Sequence, residues 1–372
     1  MGLTLFLVYD LRMGGLQRVV TLIANTLDVK GVSTEIVSIE NSKWYYDSSV
    51  PTSSLLENRR KTSLILKKIL RACIYFLFKK TISFEFVNKI IINKLEKKIQ
   101  EKNYKTIVAS GDTSLYIPIL KRKFPNIKFI AWEHNNADIY MNRYFKRDLE
   151  LFKKSLEVAD QVICLTNYDQ KKFKEFSKNV KCIYNPLTID NTKVSSLTSH
   201  NISFVGRIDM EHKGIDFLVQ VASKLPNGIK ITVAGDGNKK NMREFRKKIS
   251  RYNAEDKIIY KGALKDEALI SHFLDSSIYL MTSRWEGFGL VLVEAMSFGL
   301  PIISFNQSGS QEVLEGGKNG VLVENGNVIA IVKEVEKFVA NIELRKNYQK
   351  KSLERVKDFS IEKIIEQWRE LL

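Results

Sequence analysis

Short apolar runs and amphipathic stretches alternate from the start of the chain. The runs Thr4–Tyr9, Thr34–Ile39, Thr106–Ala109, Lys128–Trp132, Gln161–Leu165 and Lys181–Tyr184 are four to six residues long and rich in β-branched side chains. That is the length and chemistry of strands buried in a parallel sheet. Helical periodicity lies between them, notably over Gly15–Leu27 and Arg143–Val158, and strand-helix alternation predicts a doubly wound α/β sheet. Residues Pro186–Asn201 interrupt the pattern with a polar stretch rich in Ser, Thr and Asn, which reads as an interdomain linker.

A second alternation follows, with strands expected at Ile202–Val205, Lys230–Ala234, Lys257–Tyr260, Ile278–Met281, Pro301–Ser304 and Gly320–Val323. The remainder reads as helix from Asn327, an N-cap residue type. Two Rossmann-like domains facing one another across a cleft would place ligands at the carboxyl ends of their strands. The length of 372 residues agrees with two domains rather than one core.

Charge changes this picture in one place. The net charge is +17, and residues 51–105 carry 14 Lys/Arg against 4 Asp/Glu. Such an excess attracts polyanions. The uncharged run Ala72–Phe78 is far shorter than the roughly 20 residues that span a bilayer. The segment therefore fits either a basic amphipathic helix in the lipid interface or a core helix with a solvated basic face, with nucleic acid as a third partner. Cys73, Cys164 and Cys182 are odd in number and lack C-x-x-C spacing. Disulfides and a zinc site are not expected, and a reducing cytoplasm fits. The apolar N-terminal run lacks a basic leader and a small-residue cleavage site, so it reads as a strand rather than a signal peptide.

The candidate chemistry centres on Arg284-Trp-Glu-Gly-Phe-Gly-Leu-Val-Leu-Val-Glu294. A strand ends near Met281, and a helix is expected to start near Leu290. Gly287 and Gly289 would let free backbone N–H groups approach an anion. Were the interval mostly helical, Glu286 and Glu294 would stand about 12 Å apart along the axis. That is wider than the ~5–5.5 Å of a retaining-hydrolase carboxylate pair, so the two read as hydroxyl-binding ends of one ligand site. Two surface carboxylates on a capped helix is the plainer alternative. Arg207 and Lys213, in Gly206-Arg-Ile-Asp-Met-Glu-His-Lys-Gly214, suit a diphosphate. Gly14 and Gly15 join the first strand to the first helix, and His134, in Trp132-Glu-His-Asn-Asn136, ends a strand.

These four segments, in this order, resemble the retaining GT-B glycosyltransferases of family 4, typified by bacterial polysaccharide and lipid-linked glycan enzymes. The resemblance covers nearly the whole chain. It implies an acceptor-binding domain at 1–187, a nucleotide-sugar-binding domain at 188–356, and a C-terminal helix at 357–372 packing back on the first domain. It implies that Arg207 and Lys213 hold the donor diphosphate, with Gly206 beside them, and that no metal or other cofactor is needed. Glu294 would bind ribose. Glu286, with Gly287, Phe288, Gly289 and Leu290, would hold the donor sugar.

His134 would lie beside the sugar ring, Gly15 would face the phosphates and acceptor, and Leu264 lies where the family seats its base. Gln17 stands where many relatives carry an acid. The implied reaction moves a hexose or N-acetylhexosamine from a UDP-sugar to a glycan acceptor hydroxyl, lipid-linked or oligosaccharide. It would proceed by front-face displacement, at the inner face of the cell membrane. Arg71, Lys79 and Lys80 are the expected acceptor and membrane contacts, with anionic lipid rather than nucleic acid as partner. The rival readings are a two-domain nucleotide-sugar epimerase and a non-enzymatic polyanion-binding protein.

Overall fold

The computed structural model describes residues 2–40, 44–56 and 83–372. Arg71, Lys79 and Lys80 lie outside the described residues. The chain divides into two compact units, Met1–Tyr184 with Ile364–Leu372, and Asn185–Lys363. The break falls at 184/185 and the return at 363/364, a few residues from the boundaries expected at 187/188 and 356/357.

The first unit is a seven-stranded parallel sheet of β1 (Leu3–Val8), β2 (Thr34–Glu40), β3 (Thr52–Leu56), β4 (Tyr104–Ser110), β5 (Lys128–Trp132), β6 (Gln161–Cys164) and β7 (Val180–Cys182). The strand order is β3-β2-β1-β4-β5-β6-β7. Its helices are α1 (Gly15–Val29), α2 (Phe84–Glu101), α3 (Ile117–Lys123), α4 (Ala137–Ile139), α5 (Leu149–Val158) and α6 (Asn167–Phe173). Leu5 to Val8 are wholly buried, as a strand covered on both faces must be. Helix α1 presents Val19, Val20, Ile23, Ala24 and Leu27 to the core, the spacing of one helical face. From the C-terminus, Trp368 is fully buried against Trp132, 4.5 Å between ring centres, and Phe6, 6.1 Å.

The second unit is a six-stranded parallel sheet of β8 (Asn201–Val205), β9 (Lys230–Ala234), β10 (Ile258–Gly262), β11 (Ile278–Met281), β12 (Ile302–Phe305) and β13 (Val321–Val323), ordered β10-β9-β8-β11-β12-β13. Helices α7 (Ile215–Lys224), α8 (Lys239–Arg251), α9 (Asp266–Leu274), α10 (Leu290–Ser297), α11 (Ser308–Val313), α12 (Val328–Ala340), α13 (Ile342–Arg355) and α14 (Ile361–Arg369) follow. Helix α14 carries the chain back to the first unit. Asn327 caps α12 by accepting from the Ala330 N–H.

Three expectations are corrected. Strand β3 was hidden by its sequence, Thr-Ser-Ser-Leu-Leu, which an edge strand tolerates because one side needs no apolar cover. Helix α5 starts at Leu149, not Arg143. Before it, Tyr140–Tyr144 winds as a wide turn closed by the Phe145 N–H on the Tyr140 carbonyl, 2.8 Å. That pitch aligns residues five apart and stacks Tyr140 on Phe145 at 5.0 Å, whereas an α-helix would turn them well away from each other.

The stretch taken as a linker has no regular structure but is fixed to the second unit. Thr188 donates to Glu294, the Ser195 N–H to the Phe298 carbonyl, and Leu197 is buried. Its Ser, Thr and Asn side chains serve local hydrogen bonds rather than flexibility. The described part of the basic segment agrees with the core-helix reading, since α2 buries Val87, Ile91, Ile92, Leu95 and Ile99. Its Lys98, with Lys102, neutralises buried Glu35 at 2.7 and 2.6 Å. Residues 57–82, on which the membrane reading mainly rests, lie outside the described residues.

In each sheet the strand order reverses direction once, between β1 and β4 and between β8 and β11. Loops leaving the carboxyl ends of strands flanking such a switch diverge and leave room for a ligand. The motifs fall on those loops. Gly14 and Gly15 follow β1, Gly206 to Gly214 follow β8, and Thr282 to Gly289 follow β11.

Candidate active site

In the second unit the loops after β8 and β11 are stitched together by their own polar groups. The Arg284 guanidinium forms a two-point pair with Asp216, 2.9 and 2.7 Å, and also donates to the Met210 carbonyl, 2.7 Å. The Arg284 N–H donates to the His212 carbonyl, 2.9 Å, and the Thr282 hydroxyl to the Lys213 carbonyl, 3.0 Å. The approach is close enough that Gly214 is obligatory: its φ is +61°, and a Cβ there would lie 2.0 Å from the Thr282 oxygen.

This stitching brings Lys213 to Glu286. The ammonium donates to Glu286 Oε1 at 2.6 Å, and both side chains are largely buried. Burial alone would raise the Glu286 carboxyl. The Lys213 charge and neighbouring His212 outweigh it and hold the group far below the usual carboxylate range. His212 stacks on Trp285, ring centres 4.9 Å apart and planes 7° from parallel. Its Nδ1 lies 3.3 Å from Arg207 Nη2, and its Nε2 lies 3.7 Å from Glu286 Oε2. Arg207 is exposed. Arg207, His212, Lys213 and Glu286 thus form one cluster, of which the sequence named three.

Gly289 caps α10 in the left-handed conformation, φ +87°, and no side chain caps that end. The helix starts at Leu290, so Glu286 stands outside it, and the 12 Å helical separation from Glu294 does not apply. Glu294 lies in α10, buried, with Oε1 accepting from the Thr188 hydroxyl at 2.8 Å. Both carboxylates reach the buried Tyr279 phenol electrostatically, which burial and then their charges raise well above its ordinary pKa. Phe288 is buried with its ring against Phe359. Gly206 donates to the Ala234 carbonyl, 3.0 Å, and Gly235 to the Gly262 carbonyl, 2.7 Å. The loops after β8, β9 and β10 therefore adjoin, and half-exposed Leu264 lies two residues past Gly262.

In the first unit, Gly15 opens α1 behind Gly14, with no side-chain cap and no acid in the first turn. Gln17 does not face empty space: its amide donates to Asp10 at 3.1 Å, beside the Arg12 guanidinium on the same carboxylate. His134 follows β5. Its backbone N–H donates to the Tyr140 hydroxyl, 3.1 Å, while neither ring nitrogen has a hydrogen-bond partner among the described residues. Burial pushes its pKa down to about 3, so the ring is neutral at physiological pH. A neutral imidazole can donate one hydrogen bond and accept another, which suits a hydroxyl and not an anion.

Glu133 beside it was missed by sequence reasoning. It is 1% exposed, neither carboxyl oxygen has a hydrogen-bond partner among the described residues, and burial pushes its pKa up to about 8. The hydroxyls of Ser114 and Tyr140 pull the other way, and Asp112 adds to the rise. Asp216, Arg284 and His212 were also missed. His212 and Arg284 carried a signal, as close neighbours of Lys213 and Glu286 within the two motifs, and Asp216 carried none.

Residues 188–355 match the family described as glycosyl transferases group 1. A protein of Haemophilus influenzae, described as an uncharacterized glycosyltransferase, is 30% identical over 370 residues, 96% of each chain. The Campylobacter jejuni GalNAc-alpha-(1->4)-GalNAc-alpha-(1->3)-diNAcBac-PP-undecaprenol alpha-1,4-N-acetyl-D-galactosaminyltransferase is 24% identical over 376 residues, 99% of this chain and 97% of its own. Among solved structures, Anabaena HepE in complex with UDP and glucose superposes with a TM-score of 0.77 at 16% identity, over 100% of this chain and 99% of that one. That likeness shows a shared fold, the GT-B architecture of two Rossmann-like domains.

Proposed function

The chain belongs to the glycosyl transferases group 1, and on that footing we propose that it moves a hexose or N-acetylhexosamine from a UDP-sugar to a hydroxyl of a lipid-linked or oligosaccharide acceptor, with retention of configuration. The membership supports glycosyl transfer in bacterial polysaccharide synthesis over the epimerase and the non-enzymatic protein. The undecaprenol-linked acceptor in the Campylobacter relative's name supports a lipid-linked acceptor and work at the inner membrane face. Among the described residues no helix is long and apolar enough to cross a membrane.

One observation carries the reading: the β8 and β11 loops set Lys213 against Glu286 just ahead of α10, with Arg207 joined to the cluster through His212. In this scheme the two cations and the free N–H groups behind Gly289 hold the diphosphate as charge builds on it. Glu286 accepts hydroxyls of the donor sugar, Glu294 those of the ribose, and neutral His134 a hydroxyl at the sugar rim. The bond from the anomeric carbon to the diphosphate oxygen breaks. The acceptor oxygen bonds to the same face of that carbon, and its proton passes to the departing diphosphate. No protein carboxylate forms a covalent intermediate, and no metal is required.

The test is a panel of UDP-glucose, UDP-galactose and their N-acetylamino forms with polyprenyl diphosphate-linked and oligosaccharide acceptors. UDP release and the product's anomeric configuration by NMR are the readouts. Formation of an α-linked product from an α-linked donor is expected. A β-linked product would overturn retention, and absence of both UDP release and any thermal shift with UDP would overturn the donor class.

A further inference from the structure

We propose that His212 is a positioning residue that couples the two ends of the donor site, orienting Glu286 toward the sugar while Arg207 and Lys213 serve the diphosphate; this rests on the glycosyltransferase reading above. A guanidinium only donates hydrogen bonds. The 3.3 Å contact between Arg207 Nη2 and His212 Nδ1 therefore makes Nδ1 an acceptor. The ring proton then sits on Nε2, which faces Glu286 Oε2 at 3.7 Å. The tautomer is set by one donor-site residue and aimed at the other.

The rest of the surroundings hold the ring in that pose. Trp285 fixes its plane by parallel stacking at 4.9 Å. The Arg284 N–H on the His212 carbonyl, with the Arg284–Asp216 pair, fixes its backbone. Nε2 is buried and has no hydrogen-bond partner at its present distance. A movement of under about 1 Å brings it within hydrogen-bond reach of the carboxylate.

The need for it follows from the charges. Glu286 is buried, and among the described residues its one close lysine or arginine is Lys213, on Oε1. A diphosphate competes for that ammonium, and a buried carboxylate that loses its partner is strongly destabilised. His212 supplies a second donor on the opposite oxygen, so Glu286 keeps its orientation as Lys213 turns to the phosphate. Without His212, the diphosphate and the sugar carboxylate would draw on the same lysine.

The experiment compares wild type with His212→Phe, His212→Gln and His212→Asn in the full chain. Affinities for UDP and for the UDP-sugar that wild type turns over are measured by calorimetry, alongside kcat and KM. Phe keeps the stacking surface and loses both nitrogens. It is expected to leave UDP affinity within a few-fold of wild type and to lower kcat by about 10²-fold, the scale of a misplaced positioning group. Gln, whose amide nitrogen reaches the Nε2 position, is expected to restore most of the rate, and Asn, which reaches only the Nδ1 position, is not.

If the Phe variant fails to fold, the Gln and Asn pair decides. Equal rates for Gln and Asn, a wild-type kcat for Phe, or an equal loss of UDP and UDP-sugar binding would each overturn the role. A wild type that binds no nucleoside diphosphate would instead overturn the functional reading.

Discussion

Two buried glutamates, one in each unit, occupy opposite states. Glu286 is held far below the ordinary carboxylate range, while Glu133 is pushed up to about 8. Both are largely withdrawn from water, and burial raises both. The difference is a cation. Lys213 sits 2.6 Å from Glu286, whereas around Glu133 the described neighbours are the hydroxyls of Ser114 and Tyr140 and the acid of Asp112. The second unit keeps buried charge and pairs it, as the proposed diphosphate site requires. The first unit removes charge: beside Glu133 stands a neutral His134. Glu35 shows that this contrast is not between whole units, since Lys98, Lys102 and Tyr104 hold that first-unit carboxyl low against the pull of its burial.

The contrast breaks most severely in Lys213→Met, which leaves buried Glu286 with His212 alone. Turnover should fall by about 10²–10³-fold, the loss typical of removing one group that stabilises developing charge. Stability should change its pH dependence as well. In wild type the depressed Glu286 carboxyl contributes stability that is present above its unfolded value and lost as pH falls. In the variant only His212 opposes burial, the folded value rises, and the loss of stability as pH falls below about 5 should shrink. Thermal melts across that range, with kcat measured in parallel, check both parts. Near-normal turnover would remove Lys213 from the donor site.

The converse change is Glu133→Gln. Burial pushes its folded pKa up to about 8, above the ordinary carboxyl value of 4.5, so the native state binds a proton that the unfolded chain has released. Wild-type stability should therefore decline as pH rises from about 4.5 towards 8, at up to about 1.4 kcal/mol per unit. The Gln variant cannot ionise and should lack that decline. Its melting temperature relative to wild type should climb steadily between pH 5 and 8. Parallel curves for the two proteins would show that Glu133 is ionised in the fold.

How much of this contrast the sequence revealed follows from what each half of it depends on. The strands were legible because buried parallel strands are short, apolar and β-branched whatever surrounds them; β3 was not, because an edge needs no such composition. Arg207, Lys213, Glu286 and Glu294 were legible because their spacing about glycines is local. The state of Glu133 was not, since it depends on β5 placing the residue under Tyr140 and beside Ser114, which no local pattern encodes. The same holds for Arg284 and Asp216, whose pairing joins positions 68 apart in sequence. It holds also for Thr188, which lay in a stretch whose polarity resembled a linker and proves to touch a site carboxylate.

Thr188 gives the smallest and most discriminating change. Glu294 is a third kind of buried carboxylate, with a neutral hydroxyl on Oε1 at 2.8 Å. Thr188→Val keeps the shape and removes that bond. Hydrogen bonds to charged groups contribute about 1.5–3 kcal/mol, and the lower end is expected here because the Thr188 contact is partly open to solvent, so water can replace the hydroxyl. If Glu294 binds ribose, its contact is equally strong before and during transfer, and weakening it changes binding without changing the chemical step. The variant should raise the donor KM about 3–10-fold and leave kcat nearly unchanged. A fall in kcat at constant KM would instead put Glu294 at the reacting centre. The assignment of sugar to Glu286 and ribose to Glu294 would then have to be reversed.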